Sequence, residues 1–171
     1  MVSKKKLNIS SSELNTIKPI TDNQKEVFAS YEKGQNLFLY GVAGTGKTFV
    51  ALYNALKDVL DPKSPRERVY IVRSLLPTRD IGFLPGDEED KSYLYQVPYQ
   101  NMVRFMFQRG SDAEFDRLYT DLRNQGTIDF LSTSFLRGIT IDNGVIIVDE
   151  CQNLNFHELD TIMTRVGQNT R

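Results

Sequence analysis

The sequence has a single cysteine and a single histidine, and it has no long apolar run. Cys151 is the only cysteine, so no disulfide can form within the chain, which is typical of a reducing compartment. We expect its small side chain to be buried. His157 lacks cysteine and histidine partners for a metal site, so we expect it in solvent at the start of a helix. No apolar stretch approaches the ~18 residues that a membrane helix needs, so no spanning segment is expected.

An excess of charge of either sign is also missing. The 171 residues hold 21 lysines and arginines against 22 aspartates and glutamates, so the net charge of −1 does not indicate a nucleic-acid binder. Hydrophobic residues make up 40% and charged residues 25%, as in globular proteins, and the length suits one domain with one core. A nucleic-acid partner would therefore need a local cluster of basic residues.

The first 17 residues predict a disordered polar and basic tail ahead of a single domain over residues 18–171. Lys4, Lys5 and Lys6 are followed by no apolar segment, so this stretch does not have the pattern of a secretory signal. The three lysines could contact phosphate groups or lie in solvent.

Short apolar runs alternate with amphipathic segments over the rest of the chain. This alternation predicts an α/β domain with a mainly parallel central sheet, which would bind its ligand beyond the carboxyl ends of the strands. Residues 75–97 are rich in Pro, Gly and acids and predict a long functional loop. The predicted strands are residues 36–40, 68–74, 127–132 and 145–148, and the predicted helices lie within residues 22–34, 46–60, 98–110, 111–126 and 155–167.

Residues 41–48, GVAGTGKT, match the pattern G-x-x-x-x-G-K-[ST] at every fixed position, between a predicted strand and a predicted helix. Glycines let the backbone curl so that successive N–H groups face an anion, at which the following helix also points its N-terminus. Lys47 would contact the β- and γ-phosphates of a nucleotide, and Thr48 would offer its hydroxyl to Mg²⁺. The alternative is a glycine-rich turn without a ligand. The predicted phosphate-binding residues are Gly41, Val42, Ala43, Gly44, Thr45, Gly46, Lys47 and Thr48.

Two acids directly follow the apolar run at 145–148. Beside a phosphate loop, Asp149 would face the Mg²⁺ held by Thr48, and Glu150 could accept a proton from an attacking water as general base. The paired acids therefore favour hydrolysis over simple storage of a nucleotide. The alternative is an acidic helix cap after a strand.

Two glutamines are further candidates for a nucleotide site. The sequence lacks the Asn-Lys-x-Asp element of guanine-specific switches, so adenine is the predicted base. Gln24 could hydrogen-bond the adenine edge with its amide, and Gln152 could sense the γ-phosphate or orient water. Each could instead be an exposed polar residue without a ligand.

Together these motifs resemble the PhoH-like ATPases, P-loop proteins close to the superfamily 1 helicases. The resemblance covers residues 18–171 and rests on PITDNQKEV, GVAGTGKT, PTRDIGFLPGD, FLRGITIDNGVIIVDECQN and TRVG in that order. It implies a three-layer RecA-like domain that binds ATP with Mg²⁺ and hydrolyses ATP, in the cytoplasm or, for a viral protein, the host cytoplasm. Some members of this family have been linked to RNA unwinding.

By position, the resemblance assigns the family's roles to the phosphate loop, the two acids and the two glutamines named above. Arg73 matches an arginine at the end of the second strand, but Ser74 stands where the family often has proline, which loosens any role for Arg73. Residues 82–87, GFLPGD, match a family turn that could be a backbone nest or a subunit contact. The predicted catalytic residues are Glu150, Lys47 and Gln152, and the predicted metal ligands are Thr48 and Asp149.

The family pattern continues after TRVG with another strand, which would begin where this sequence stops at Arg171. We therefore expect the sheet to lack its final strand or strands. An unpaired edge and exposed apolar surface would then make the chain poorly stable by itself.

Two functions fit these motifs. The first is a helicase-like ATPase acting on single-stranded RNA, in a homo-oligomeric ring such as a hexamer, where a neighbouring subunit supplies an arginine. The second is a nucleotide-dependent switch with little turnover that acts through protein partners. Glu150 argues against this switch, because a pure switch does not need a general base. Basic residues could line an RNA channel or be scattered over a solvated surface; they lie at positions 66, 68, 73, 79, 104, 109, 123 and 137.

Overall fold

The computed structural model describes residues 9–73, 88–133 and 135–171, with only the backbone of residues 88–94. In this part of the chain, three strands form one parallel sheet packed against α-helices. The strands are β1 (Arg68–Arg73), β2 (Ile128–Ser132) and β3 (Gly144–Asp149). The helices are α1 (Asp22–Glu32), α2 (Lys47–Val59), α3 (Glu88–Phe107), α4 (Asp112–Asn124) and α5 (Phe156–Met163), with 3₁₀ turns at Ser11–Glu13 and Cys151–Asn153.

The sheet has the order β2-β1-β3, and its strands all run in the same direction. The register places Arg73, the last residue of β1, opposite Ser132 of β2 and Asp149 of β3. The carboxyl ends of the three strands therefore meet at one edge of the sheet, which is where parallel sheets bind their ligands.

Alternate residues of β1 face opposite sides of the sheet. Val69 and Ile71 belong to the larger core cluster, which also holds apolar side chains of α2, α3 and α4. Val72 belongs to a second cluster with Leu136 and with Ile162 of α5. Both faces of the sheet are covered, which confirms the predicted three-layer α/β class.

The caps of the helices follow the local sequence. The hydroxyl of Ser111 accepts a hydrogen bond from the N–H of Glu114 at the start of α4, and Asn155 forms a reciprocal capping box with Glu158 at the start of α5. In α2 and at its C-cap, the regularly spaced apolar residues are buried; they are Val50, Leu52, Leu56, Val59 and Leu60. No helix among the described residues has both the length and the apolar character of a membrane span.

The strand predicted at residues 36–40 is wrong, because this segment forms no strand in the structure. Phe38 is 80% exposed and Tyr40 is 93% exposed. An apolar run becomes a strand only when a neighbouring strand forms hydrogen bonds with its N–H and C=O groups, and none of the described strands pairs with this one. The backbone of β3 is bonded on its other side by Arg171, through Ile146 N–H to Arg171 O at 2.7 Å and Arg171 N–H to Gly144 O at 3.1 Å.

The long loop predicted at residues 75–97 is wrong from Glu88 onward, since α3 begins there and continues through Pro98. A proline removes one N–H donor from a helix, but packing can offset that loss, and Tyr99, Val103 and Met106 bury the helix against the core. Residues 74–87, including the predicted GFLPGD turn and Arg79, lie outside the described residues.

Residues 9–17 also differ from the predicted disordered tail. Ile9 is buried in the main core cluster, and the N–H of Asn15 donates to the carbonyl of Met106 at 2.8 Å. Glu13 pairs with Arg109, whose hydrogen bond holds the pKa of that carboxyl below its usual value. Leu14 and Ile17 also pack against the main core cluster. Three apolar residues and one acid therefore dock the segment, although its overall composition is polar.

A network around Asp58 ties α1, α2 and the residue beside β3 together. Asp58 accepts hydrogen bonds from Tyr31 (3.0 Å), Ser64 (2.6 Å) and Arg171 (2.7 Å), and it pairs with Arg66 at 3.2 Å. Desolvation alone would raise the pKa of Asp58. The hydrogen bonds from Ser64 and Arg171 and the charges of both arginines outweigh it, so the pKa lies below its usual value.

Replacing Asp58 by Asn should destabilise the fold by about 2 kcal/mol, because it leaves two guanidinium groups without a carboxylate partner. This is less than the ~3–5 kcal/mol expected when a fully buried ion pair is broken. Because the folded-state pKa of Asp58 is lowered, its contribution is complete above the unfolded carboxyl pKa of ~3.9 and is lost as the pH falls through the folded-state pKa. Urea unfolding of the unaltered chain and of the Asp58 variant between pH 7 and pH 3 measures the difference in their free energies of unfolding, which should shrink toward pH 3.

The matched control is Asp160→Asn, which removes the same charge from an exposed position of α5. It should leave the free energy of unfolding within ~0.5 kcal/mol of the unaltered chain. A difference between the Asp58 variant and the unaltered chain that stays constant down to pH 3 would contradict the linkage.

Candidate functional site

The glycine-rich loop leads directly into α2 and lies open to solvent. Residues 41–45 are exposed, and Gly46 is the N-cap of α2 without any side-chain hydrogen bond. Gly44 and Gly46 have φ values of +77° and +82°, a backbone region that favours glycine. A Cβ at Gly44 would meet no atom within 4 Å, so glycine serves the backbone conformation here and not close packing. The loop thus presents its backbone and a helix N-terminus to solvent, as an anion site requires.

The side chain of Lys47 folds back over this loop. Its Nζ donates to the carbonyl oxygens of Gly41 at 2.9 Å and Val42 at 2.8 Å. The hydroxyl of Thr45 donates to the same Val42 carbonyl at 2.9 Å. The ammonium is therefore held at the loop, where it can exchange carbonyl oxygens for those of a bound anion.

Thr48 and Asp149 meet at the carboxyl edge of the sheet. The Thr48 hydroxyl, in the first turn of α2, donates to Oδ1 of Asp149 at 3.0 Å. The two residues are 101 positions apart in the sequence, so the contact depends on how α2 packs against β3. This meeting was predicted from the sequence; the metal role given to the two residues stays a prediction.

A hydroxyl and a carboxylate are hard oxygen ligands, which suit Mg²⁺. Among the described residues, no group of three or more histidine, cysteine, aspartate and glutamate side chains could enclose a metal ion by itself. Mg²⁺ commonly binds through one or two carboxylates and completes its shell with phosphate oxygens and water. The pair of Thr48 and Asp149 fits that arrangement.

Sequence reasoning missed Tyr99, which touches the same carboxylate. Its hydroxyl donates to Oδ2 of Asp149 at 2.6 Å, and the residue is 3% exposed. Burial, followed by the hydrogen bond to Asp149 and the charge of that carboxylate, raises the pKa of Tyr99 far above its usual value, so the hydroxyl remains a donor at physiological pH. The only hint in the sequence is a hydroxyl-bearing aromatic on an otherwise apolar face of α3.

Glu150 turns away from the direction of β3. Its φ of +53° lies in the left-handed region, which a non-glycine residue seldom adopts and which often marks a functional position. The carboxylate is exposed, and the side-chain amide of Gln152 donates to it. The structure therefore brings Glu150 and Gln152 together just beyond Asp149, with their predicted catalytic roles still untested.

Gln24 lies beside the phosphate loop. Its Oε1 accepts from the N–H of Ile20 at 2.9 Å, and its Nε2 donates to the carbonyl of Thr45 at 3.5 Å. The Nε2 atom also lies 3.7 Å from the position of a Cβ at Gly46. The amide is thus close to the loop, as a base-recognising residue would be.

Arg73 ends β1 at the same edge of the sheet, with its guanidinium 5.5 Å from the centre of the Tyr95 ring. Burial was predicted for Cys151, but the structure leaves this residue half-buried. His157 is exposed at the start of α5, as expected.

Half of the eight basic residues proposed to line a channel are paired within the chain. Four of them form ion pairs with acids: Arg66 with Asp58, Arg104 with Asp112, Arg109 with Glu13, and Arg123 with Asp129. Paired guanidinium groups have less charge to offer a polyanion, so the scattered-surface alternative fits these four better.

Comparison with known proteins identifies relatives of this chain. A family profile described as PhoH-like protein matches residues 16–171. The chain is 34% identical to Protein PhoH2 of Bacillus subtilis over 78% of the chain and 29% of that relative. It is 31% identical to a PhoH-like protein of Synechocystis over 86% of the chain and 42% of the relative, and 30% identical to Protein PhoH of Escherichia coli K12 over 85% and 40%. The chain thus spans less than half the length of these curated relatives.

Replacing Lys47 by Ala should weaken binding of a nucleoside triphosphate by about 10- to 100-fold, because a hydrogen bond to a charged group is worth about 1.5–3 kcal/mol. Isothermal titration calorimetry on both proteins measures the change in Kd. Lys57→Ala is the matched control, since it removes an exposed lysine from the far end of α2. Equal affinities for the Lys47 variant and the unaltered chain would show that the ammonium does not contact the phosphates.

Proposed function

The chain belongs to the PhoH-like protein family, and on that premise we propose that it binds ATP with Mg²⁺ and hydrolyses the terminal phosphate. The observation that carries this proposal is the 3.0 Å hydrogen bond between Thr48 and Asp149. It joins the first turn of α2, directly after Lys47, to the acid at the carboxyl end of β3. P-loop NTPases use this pairing of loop and strand to hold Mg²⁺ against the nucleotide.

Binding falls to the loop and the start of α2. The backbone N–H groups around Gly44 and Gly46 and the N-terminus of α2 take the phosphates, and Lys47 moves from the loop carbonyls to phosphate oxygens. Thr48 and Asp149 would hold Mg²⁺, which would neutralise part of the negative charge of the phosphates. Gln24 contacts the adenine edge from α1, beside the loop.

Hydrolysis falls to Glu150. Its exposed carboxylate accepts a proton from a water whose oxygen attacks the γ-phosphorus, and the bond to the β-phosphate oxygen breaks. Gln152 donates a hydrogen bond to this carboxylate and so fixes its direction. Asp149 ends β3, whereas Glu150 follows it with a left-handed backbone and an exposed side chain, so one acid can serve the metal while the other faces the water.

Two extensions of this function concern partners. The loop residues 41–45 are exposed, which leaves room for an arginine from a neighbouring subunit in a homo-oligomeric ring. Phe135 and Arg137, exposed in the turn after β2, offer a stacking surface and a charge for single-stranded RNA. ATP turnover with and without single-stranded RNA over a range of salt concentrations, and sedimentation with and without ATP, test the two.

Replacing Glu150 by Gln should leave ATP binding intact and lower ATP turnover by about 10²- to 10⁴-fold, the usual contribution of a general base. Binding is followed by calorimetry and turnover by release of inorganic phosphate. Glu26→Gln, an exposed acid on α1, is the matched control and should turn over normally.

Normal turnover by the Glu150 variant would show that another group is the base. Tight ATP binding by the unaltered chain with no turnover, in the presence or absence of RNA, would instead favour a nucleotide-dependent switch that acts through protein partners.

A further inference from the structure

The carboxylate of Asp149 is held on both of its oxygens by residues from different helices. Oδ1 accepts from the Thr48 hydroxyl of α2 at 3.0 Å, and Oδ2 accepts from the Tyr99 hydroxyl of α3 at 2.6 Å. With one oxygen fixed by Tyr99, the rotation of the carboxylate is determined, and its other oxygen faces the loop helix. The short Tyr99 contact therefore decides which way the acid points.

The Tyr99 hydroxyl is itself held in place by packing. Its ring lies edge-on to Phe130 of β2 with 5.4 Å between ring centres, and only 3% of the residue is exposed. A ring clamped between α3 and β2 cannot follow the carboxylate if the latter turns. Tyr99 is thus a rigid donor, as are the hydrogen-bond partners that orient metal ligands in proteins.

We propose that Tyr99 is a positioning residue for the Mg²⁺ ligand Asp149, which it orients toward the oxygen of Thr48. This inference rests on the proposed function, since it needs Mg²⁺ to bind at Thr48 and Asp149 together with a nucleotide. Tyr99 acts through the carboxylate and does not touch the nucleotide. It also makes α3 part of the metal site, although no motif of the phosphate loop or the paired acids includes that helix.

The test is the gain in nucleotide affinity that Mg²⁺ provides. The Kd for a non-hydrolysable ATP analogue is measured in Mg²⁺ and in EDTA for the chain and for Tyr99→Phe, which keeps the ring and its packing. We expect an unchanged Kd in EDTA and a gain from Mg²⁺ that is smaller by about 10- to 100-fold, the usual effect of losing a partner of a metal ligand. In an Asp149→Asn background, Tyr99→Phe should cause no further loss.

Tyr53→Phe is the matched control. Tyr53 is also a buried tyrosine, and its hydroxyl accepts a hydrogen bond from the N–H of Ile17 at 3.2 Å. This variant should keep the full gain from Mg²⁺. Should Tyr99→Phe not fold, Phe130→Leu loosens the clamp while keeping the hydroxyl, and it should lose part of the gain.

The outcomes separate the two proposals. If the unaltered chain binds the analogue equally in Mg²⁺ and EDTA, or not at all, the proposed function fails and this inference fails with it. If the unaltered chain shows the gain and Tyr99→Phe keeps it in full, only the role of Tyr99 is overturned. An equal loss of affinity in Mg²⁺ and in EDTA also overturns it, since that would be general loosening of the loop.

Discussion

The site depends on one hydrogen bond, from the hydroxyl of Thr48 to the carboxylate of Asp149. Neither residue can be placed there by local structure alone. Thr48 is set by α2, whose apolar face is buried against the sheet, and Asp149 is set by the register of β3 on β1. The packing of α2 on the sheet and the register of β3 therefore set the distance between the Thr48 hydroxyl and the Asp149 carboxylate.

Further side chains support the contact between Thr48 and Asp149. Tyr99 holds the second oxygen of Asp149, and Phe130 holds the ring of Tyr99, so the carboxylate is joined to α3 and β2 as well as to α2. Glu150, one residue further, is exposed and leaves the strand in a left-handed conformation. Adjacent acids thus have different surroundings, one packed and one open, and these suit a metal ligand and a proton acceptor respectively.

Features that local sequence patterns determine could be predicted from the sequence, whereas features that depend on tertiary contacts could not. The pattern GVAGTGKT and the acids after the apolar run of β3 predicted that Thr48 and Asp149 would meet, because both sit at fixed offsets from regular elements. The strand predicted at residues 36–40 failed because strand formation depends on a pairing partner as well as on its own apolar residues. Tyr99 escaped notice because its role comes from tertiary packing, and in sequence it is one more aromatic on a core-facing helix.

The most direct test of this account is a double-mutant cycle between Thr48→Ala and Asp149→Asn, read as ATP affinity and measured once in Mg²⁺ and once in EDTA. If both residues hold one ion, the losses are not additive, and the coupling should reach ~1 kcal/mol or more, within the usual range for residues in contact. The coupling should disappear in EDTA. Losses that add within ~0.3 kcal/mol, or a coupling of equal size without the metal, would contradict a shared Mg²⁺ site.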